Sequence, residues 1–183
     1  MNNQITKYLF VALILLPAIL GCKEITPKEK ELRQAVNKEL NLKLFQAVQQ
    51  ANRTLPLDEI RQNHRFLSVV YLQNGCNPCY PKFIKWQQKM DSIDTPEDHT
   101  VLFVIKGDNY GEFLSNVLDI EYVDNKFYTI MDPGARFLEA NKDIPRWIID
   151  ASVLIDSENK IKMVGAPFAT PEMTELFHKI CAK

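Results

Sequence analysis

Two hydrophobic patterns follow one another in the first third of the chain. Tyr8 to Leu20 is almost wholly apolar, interrupted only by Pro17. A run of about 13 residues is too short to span a bilayer comfortably and fits the apolar core of a secretion signal, with Lys7 as its positive flank. From Thr26 the spacing becomes helical. Thr26-Pro27-Lys28-Glu29 reads as a capping box, with Thr at N-cap, Pro at N1 and Glu at N3. Leu32, Val36, Leu40, Leu44 and Val48 then recur every fourth residue. That stripe predicts an amphipathic, core-facing helix over 28–55, stopped by Thr54-Leu55-Pro56-Leu57.

Beyond Pro56 the pattern alternates between strands and helices. Phe66 to Leu72 is an apolar run with β-branched residues, and Thr100 to Ile105 is continuously apolar, as expected of a strand covered on both faces. Helices are predicted over about 78–93 and 110–118, with a short strand at Phe127–Met131 and a helical turn after Asp132-Pro133-Gly134. Ala151–Ile155 and Lys160–Val164 flank Asp156-Ser157-Glu158-Asn159 as a hairpin. Thr170-Pro171 opens a terminal helix with apolar Met173, Leu176, Phe177 and Ile180. The order predicts an α/β fold, a mixed central sheet flanked by helices. The domain plan is a signal over 1–21, a tether over 22–27, the N-terminal helix over 28–55 and one domain over 56–183.

Charge narrows the function classes. The chain has 22 Lys and Arg against 23 Asp and Glu, a net charge of −1; losing Lys7 with the signal makes it −2. There is no basic field to hold nucleic acid. About 160 residues remain, enough for one domain with a proper core.

The four cysteines are Cys22, Cys76, Cys79 and Cys181. Cys76-Asn77-Pro78-Cys79 sits between the apolar run ending at Leu72 and the helix-capable Tyr80-Pro81-Lys82-Phe83-Ile84-Lys85-Trp86. Strand, turn, Cys-x-x-Cys and helix is the arrangement redox work requires. The first cysteine lands at a helix N-terminus, where unpaired N–H groups and the dipole favour a thiolate. Only the thiolate attacks a disulfide, and the second cysteine, one turn on, resolves the mixed disulfide. Two other readings stay open: a structural staple, and half of a zinc site completed by His178 and Cys181. His64 and His99 fall in polar connections and are expected to be solvated.

Two resemblances sharpen this. Ile19-Leu20-Gly21-Cys22 resembles the bacterial lipobox, which implies lipidation of Cys22 and an extracytoplasmic, membrane-anchored chain in the cell envelope. The region 66–183 resembles the thioredoxin-like superfamily, in particular its TlpA/redoxin branch with its lipoprotein members. The resemblance is carried by the strand before Cys76, by Asp132-Pro133-Gly134, and by Val153-Leu154-Ile155-Asp156-Ser157-Glu158-Asn159-Lys160-Ile161 followed by Gly165. It implies a three-layer thioredoxin-like fold with an extra N-terminal helix. It also implies thiol–disulfide exchange through Cys76 as nucleophile and Cys79 as resolving thiol. The implied partners are extracytoplasmic protein thiols or disulfides and a redox partner, with no cofactor. Metal binding is not expected, because the last helix of such a fold carries His178 and Cys181 away from the dithiol.

Three positions depart from the family pattern. The buried acid six residues before the first cysteine is Val70, and the aromatic before that cysteine is Gly75. The proline that faces the dithiol is replaced by Asp150 in a gapless count, or supplied by Pro145 if five residues are inserted. A carboxylate at Asp150 would disfavour a thiolate nearby. The rival to an enzyme is a binding or scaffolding lipoprotein on the same fold. Replacing Cys22 with Ala should leave an unprocessed precursor without acyl label; wild-type labelling would remove the lipid anchor from the reading.

Overall fold

The computed structural model describes residues 25–51 and 53–182. The signal over 1–21, Cys22 and the start of the tether lie outside the described residues. The chain divides into a unit up to Lys30 and a unit from Glu31 onward, and the sheet and both apolar cores belong to the second. In chain order the helices are α1 Pro27–Ala35, α2 Leu57–Asn63, α3 Cys79–Lys89, α4 Tyr110–Leu118, α5 Arg136–Ala140, α6 Arg146–Ala151 and α7 Pro171–Cys181. The strands are β1 Ala47–Gln50, β2 Arg53–Pro56, β3 Phe66–Gln73, β4 His99–Lys106, β5 Tyr128–Met131, β6 Val153–Ile155 and β7 Ile161–Val164. They form one sheet in the order β2-β1-β5-β4-β3-β6-β7. β3, β4 and β5 run parallel, while β1, β6 and β7 pair antiparallel.

The continuous apolar runs of β3 and β4 are explained by cores on both faces of the sheet. Leu67, Val69 and Tyr71 of β3 and Leu102 and Val104 of β4 face one core, closed by Ile60 of α2, Phe137 of α5 and Ile148 of α6. Phe66, Val70 and Leu72, with Val101, Phe103 and Ile105, face the other, closed by Phe83 of α3, Phe113 of α4 and Phe177 of α7. Alternation sends successive side chains to opposite faces, so a strand in the middle layer is apolar at nearly every position. The Phe83 ring lies 4.5 Å from that of Phe103 and meets Phe113 edge-on at 5.3 Å, which seats α3 on the sheet.

The amino-terminal third differs from the expected single helix over 28–55. The Thr26 cap forms, with Oγ1 accepting from Glu29 N–H at 3.2 Å, but α1 ends at Ala35. Asn37 then takes φ +67°, and the chain runs extended along the β6–β7 hairpin: Leu40 N–H donates to Asn159 and Ile161 N–H to Lys38. Leu40 and Val48 are buried in the first core, one from this extended stretch and one from β1. A spacing of four satisfies the helical period and is also twice the strand period, so the stripe could not distinguish them. β1 and β2 close a hairpin at Gln50 and Arg53, and Pro56 stands at the end of an edge strand, where its missing N–H is tolerated.

His99 also corrects an expectation. It opens β4 only 5% exposed, with Nε2 2.9 Å from the Ser68 hydroxyl and its ring edge-on to Phe177 at 4.9 Å. Burial, then the neighbouring His64, pushes its pKa down to about 3. His64 is itself half-buried, and its pKa is lowered, chiefly by burial. The unfolded chain therefore binds a proton at His99 near pH 6.5 that the folded chain refuses until about pH 3. The stabilising contribution is full above pH 6.5 and is lost as pH falls through that window, at up to about 1.4 kcal/mol per pH unit. Chemical denaturation from pH 7 to pH 4 should show that slope, and His99→Gln should flatten it. Equal slopes in both chains would exclude His99 as the acid-sensitive group.

Candidate active site

β3 delivers the dithiol. Its pairing with β4 runs from Phe66–His99 to Gln73–Lys106, and Asn74 N–H continues the ladder to the Lys106 carbonyl at 2.9 Å. The chain then turns at Gly75, whose φ of +75° an L side chain rarely adopts; a Cβ there would meet nothing within 4 Å, so the requirement is conformational. Gly107, at φ +156°, adds a steric reason to the conformational one. A Cβ on it would approach Asn74 Cβ to 3.0 Å, so its bareness lets the loop after β4 lie against the loop before the cysteines.

This loop is held by a small polar network. The Tyr80 hydroxyl donates to Asn74 Oδ1 at 2.9 Å and accepts from Gly75 N–H at 2.8 Å and from Asn116 Nδ2 at 3.1 Å. Asn74 Oδ1 also accepts from Gly75 N–H at 3.0 Å. Cys76 follows, and Cys79 N–H donates to its carbonyl at 2.8 Å. Pro78 occupies the N-cap of α3, and Cys79 is its first helical residue. Proline is suited there because its φ is helical and that end of a helix has spare N–H groups. A cleft of about 400 Å³ opens beside the loop, lined by Gln73, Asn74, Lys106, Asp108 and Glu112 among others.

The two sulfurs have different surroundings. Both cysteines are free thiols and half-buried. The Cys79 sulfur accepts from Gln73 N–H at 3.3 Å and packs against the core beneath α3. Its pKa is pushed up to about 11, first by burial and then by its hydrogen bond with Cys76, while the Gln73 N–H and the charge of Lys82 pull it down.

The sequence-predicted substrate-loop residues fall at the start of α6 and within it. Pro145 precedes its first turn, with φ −51° and ψ 131°, and Asp150 lies inside the helix. Among the described residues no peptide bond is cis. The Asp150 carboxylate bonds Arg146 at 2.8 Å, and its backbone carbonyl accepts from Lys82 Nζ at 2.7 Å. Two charges act on Cys79: Cys76, which raises its pKa, and the cation Lys82, which lowers it. Ser152 stands between α6 and β6, buried, with φ +76°. Val70 is wholly buried beneath α3. His178 Nε2 lies 2.8 Å from the Asp94 carbonyl, and Cys181 is buried in the second core with its thiol pushed up to about 12, chiefly by burial.

Sequence reading missed Lys82, Tyr80 and Asn74. Lys82 follows Cys79 by three residues, which places both on one helical face; that spacing was the available signal. Nothing local distinguishes Tyr80 or Asn74 from ordinary helix and turn residues.

Several solved structures are similar to this one in fold. The thioredoxin domain of a thiol-disulfide oxidoreductase from Bacteroides vulgatus aligns with a TM-score of 0.53 at 13% identity, over 81% of this chain and 96% of that one. A thioredoxin from Wuchereria bancrofti aligns at 0.52 and 15%, over 75% and 95%. The pneumococcal exposed lipoprotein thioredoxin from Streptococcus pneumoniae aligns at 0.50 and 16%, over 74% and 98%. The fold is thioredoxin-like. No protein-family model and no curated protein matches the chain.

The shielded sulfur generates a prediction. In the Cys76→Ser chain, iodoacetamide labelling of Cys79 should rise with a midpoint well above the ordinary thiol value of 9.0, because burial persists without its partner. A midpoint at or below 9.0 would mean that Cys79 is solvated.

Proposed function

We propose that the chain is a membrane-anchored thiol–disulfide oxidoreductase that acts through Cys76 and Cys79 on extracytoplasmic protein or small-molecule thiols and disulfides. The observation that carries this is the asymmetric dithiol at the end of β3, with one cysteine ahead of α3 and the other in its first turn, its sulfur on the Gln73 N–H and against the core. In the reducing direction the Cys76 thiolate attacks a substrate disulfide, and the leaving thiolate takes up a proton. Cys79 then loses its proton and attacks the Cys76 sulfur, which forms the Cys76–Cys79 disulfide and releases the second substrate thiol. Two electrons and two protons pass from the dithiol to the substrate. A redox partner resets the pair, and the direction of flow follows the relative reduction potentials. No cofactor is required.

The anchor would be lipid on Cys22. Among the described residues no helix is long and apolar enough to cross a membrane, and the pneumococcal structure similar in fold is that of an exposed lipoprotein. Both are compatible with an anchored domain in the cell envelope. A binding module on the same fold is the second reading, and Val70 favours it, since an apolar side chain stands where thioredoxins often carry a buried acid.

Glutathione titration of the full chain in detergent, with trapping of free thiols, should give one two-electron couple between about −120 and −270 mV, the range of working oxidoreductases. Cys79→Ser should accumulate mixed disulfides with envelope proteins, and Cys76→Ser should accumulate few. A potential below about −300 mV, as in structural disulfides, together with no trapping by either variant, would leave the binding module as the function.

A further inference from the structure

We propose that Lys82 is a positioning residue of the dithiol: its ammonium, held by backbone carbonyls of β3 and α6, stabilises the Cys79 sulfur as a thiolate while the mixed disulfide is resolved. The proposal rests on the oxidoreductase reading and names the group that serves its second step.

Three elements meet at this ammonium. Lys82 lies one helical turn after Cys79 on α3. Its Nζ donates to the Asp150 carbonyl in the last turn of α6 at 2.7 Å and to the Tyr71 carbonyl of β3 at 3.4 Å. Gln73, two residues further along β3, donates its N–H to the Cys79 sulfur at 3.3 Å. The same strand thus holds the thiol and the cation. The Asp150 carbonyl is one of the helix-end carbonyls that have no partner within the helix, so Lys82 also caps α6.

The charge of Lys82 is left available. Carbonyls orient an ammonium without neutralising it, and they occupy two of its three N–H groups. The nearby carboxylate, Asp150, is bonded to Arg146 at 2.8 Å. Burial lowers the Lys82 pKa, while Cys79, Asp150 and Cys76 raise it. The groups facing the thiol and its cation are Cys76 from the loop, Tyr71 from β3, and Asp150 and Arg146 from α6. Tyr71 also feels Asp132 at the end of β5, and burial pushes its hydroxyl up to about 12. No buried acid stands on the strand, because Val70 takes that place. The available group is a cation, and a fixed positive charge assists by holding the anion.

That assignment fits the demand of the resolving step. In the mixed disulfide, Cys76 is bonded to the substrate sulfur and carries no charge. Cys79 must lose its proton to water, attack the Cys76 sulfur and expel the substrate thiolate, which is protonated in turn. Burial opposes the Cys79 anion. A positive charge held nearby in a partly dry site favours it more than the same charge would in water.

The full chain in detergent, reduced and mixed with one equivalent of 5,5′-dithiobis(2-nitrobenzoate), separates the two steps. Attack releases one thionitrobenzoate, and resolution releases the second; the phase missing in Cys79→Ser is resolution. Lys82→Met should slow that phase about tenfold at pH 7 and move its pH profile up by about one unit, a tenfold change corresponding to one pK unit. The attack phase should change by no more than about threefold. Lys82→Gln, which keeps polar donors but no charge, should behave like Met, and Lys82→Arg should restore most of the rate. A wild-type resolving rate and pH profile in Met and Gln overturns the proposal. Equal loss in Met, Gln and Arg with the pH profile unmoved also overturns it, since that is the mark of a merely structural cap. Absence of a resolving phase in the wild-type chain instead refutes the oxidoreductase reading itself.

Discussion

The parallel pairing of β3 with β4 is the constraint on which the remainder of the molecule depends. The register runs without a break from Phe66–His99 to Gln73–Lys106, and both strands are buried on both faces. Every helix and loop that matters to the site is referred to this pair. α3 is seated on it through Phe83, and the loop holding Cys76 begins where the ladder ends. Because the strand cannot slip by one residue without exchanging its two apolar faces, the position of the dithiol relative to the sheet is set by packing. A loop attached to a weaker strand would leave the cysteines free to wander, and a dithiol works only if both sulfurs reach one another.

The second consequence is electrical. Placing Cys79 in the first turn of a docked helix shields it, and shielding makes its anion costly. The chain answers with two backbone devices and one side chain: the Gln73 N–H on the sulfur, the start of α3, and the Lys82 ammonium held on carbonyls of β3 and α6. Asp150, which a count along the sequence sets opposite the dithiol, directs its carboxylate to Arg146. A residue's charge acts where its side chain goes, and α6 sends this one to its own first turn while turning its carbonyl to Lys82. The polar network of Asn74, Gly75, Tyr80 and Asn116 then keeps the entry loop in one conformation, so that Cys76 is presented from a fixed turn.

Much of this was legible along the chain. The apolar runs of β3 and β4, the Thr26 and Thr170 caps, the hairpin around Asp156 and the place of Cys76-Asn77-Pro78-Cys79 between strand and helix all follow from local signals. These are periodicity, capping chemistry and turn residues, each of which acts over a few neighbouring positions. The stretch from Val36 to Leu55 was not legible, because its four-residue spacing suits a helix and a strand alike, and long-range pairing with Asn159, Ile161 and β5 decided between them. His99 was misread for the same reason: a histidine beside Asp98 looks solvated until β3 brings Ser68 and α7 brings Phe177 against it.

By itself, the sequence determined the dithiol, the strand that leads to it, the helix that follows and the absence of a basic field. Those features depend on residue type and on spacings of a few residues, where chain connectivity alone keeps the groups together. The tertiary structure decided which charge stands near Cys79, what becomes of Asp150 and Pro145, and which histidine is dry. These depend on groups from β3, α3 and α6 meeting at one point, with Asp150 of α6 standing 68 residues of chain beyond Lys82. No local rule fixes such a meeting; only the packing of both faces of one sheet brings it about.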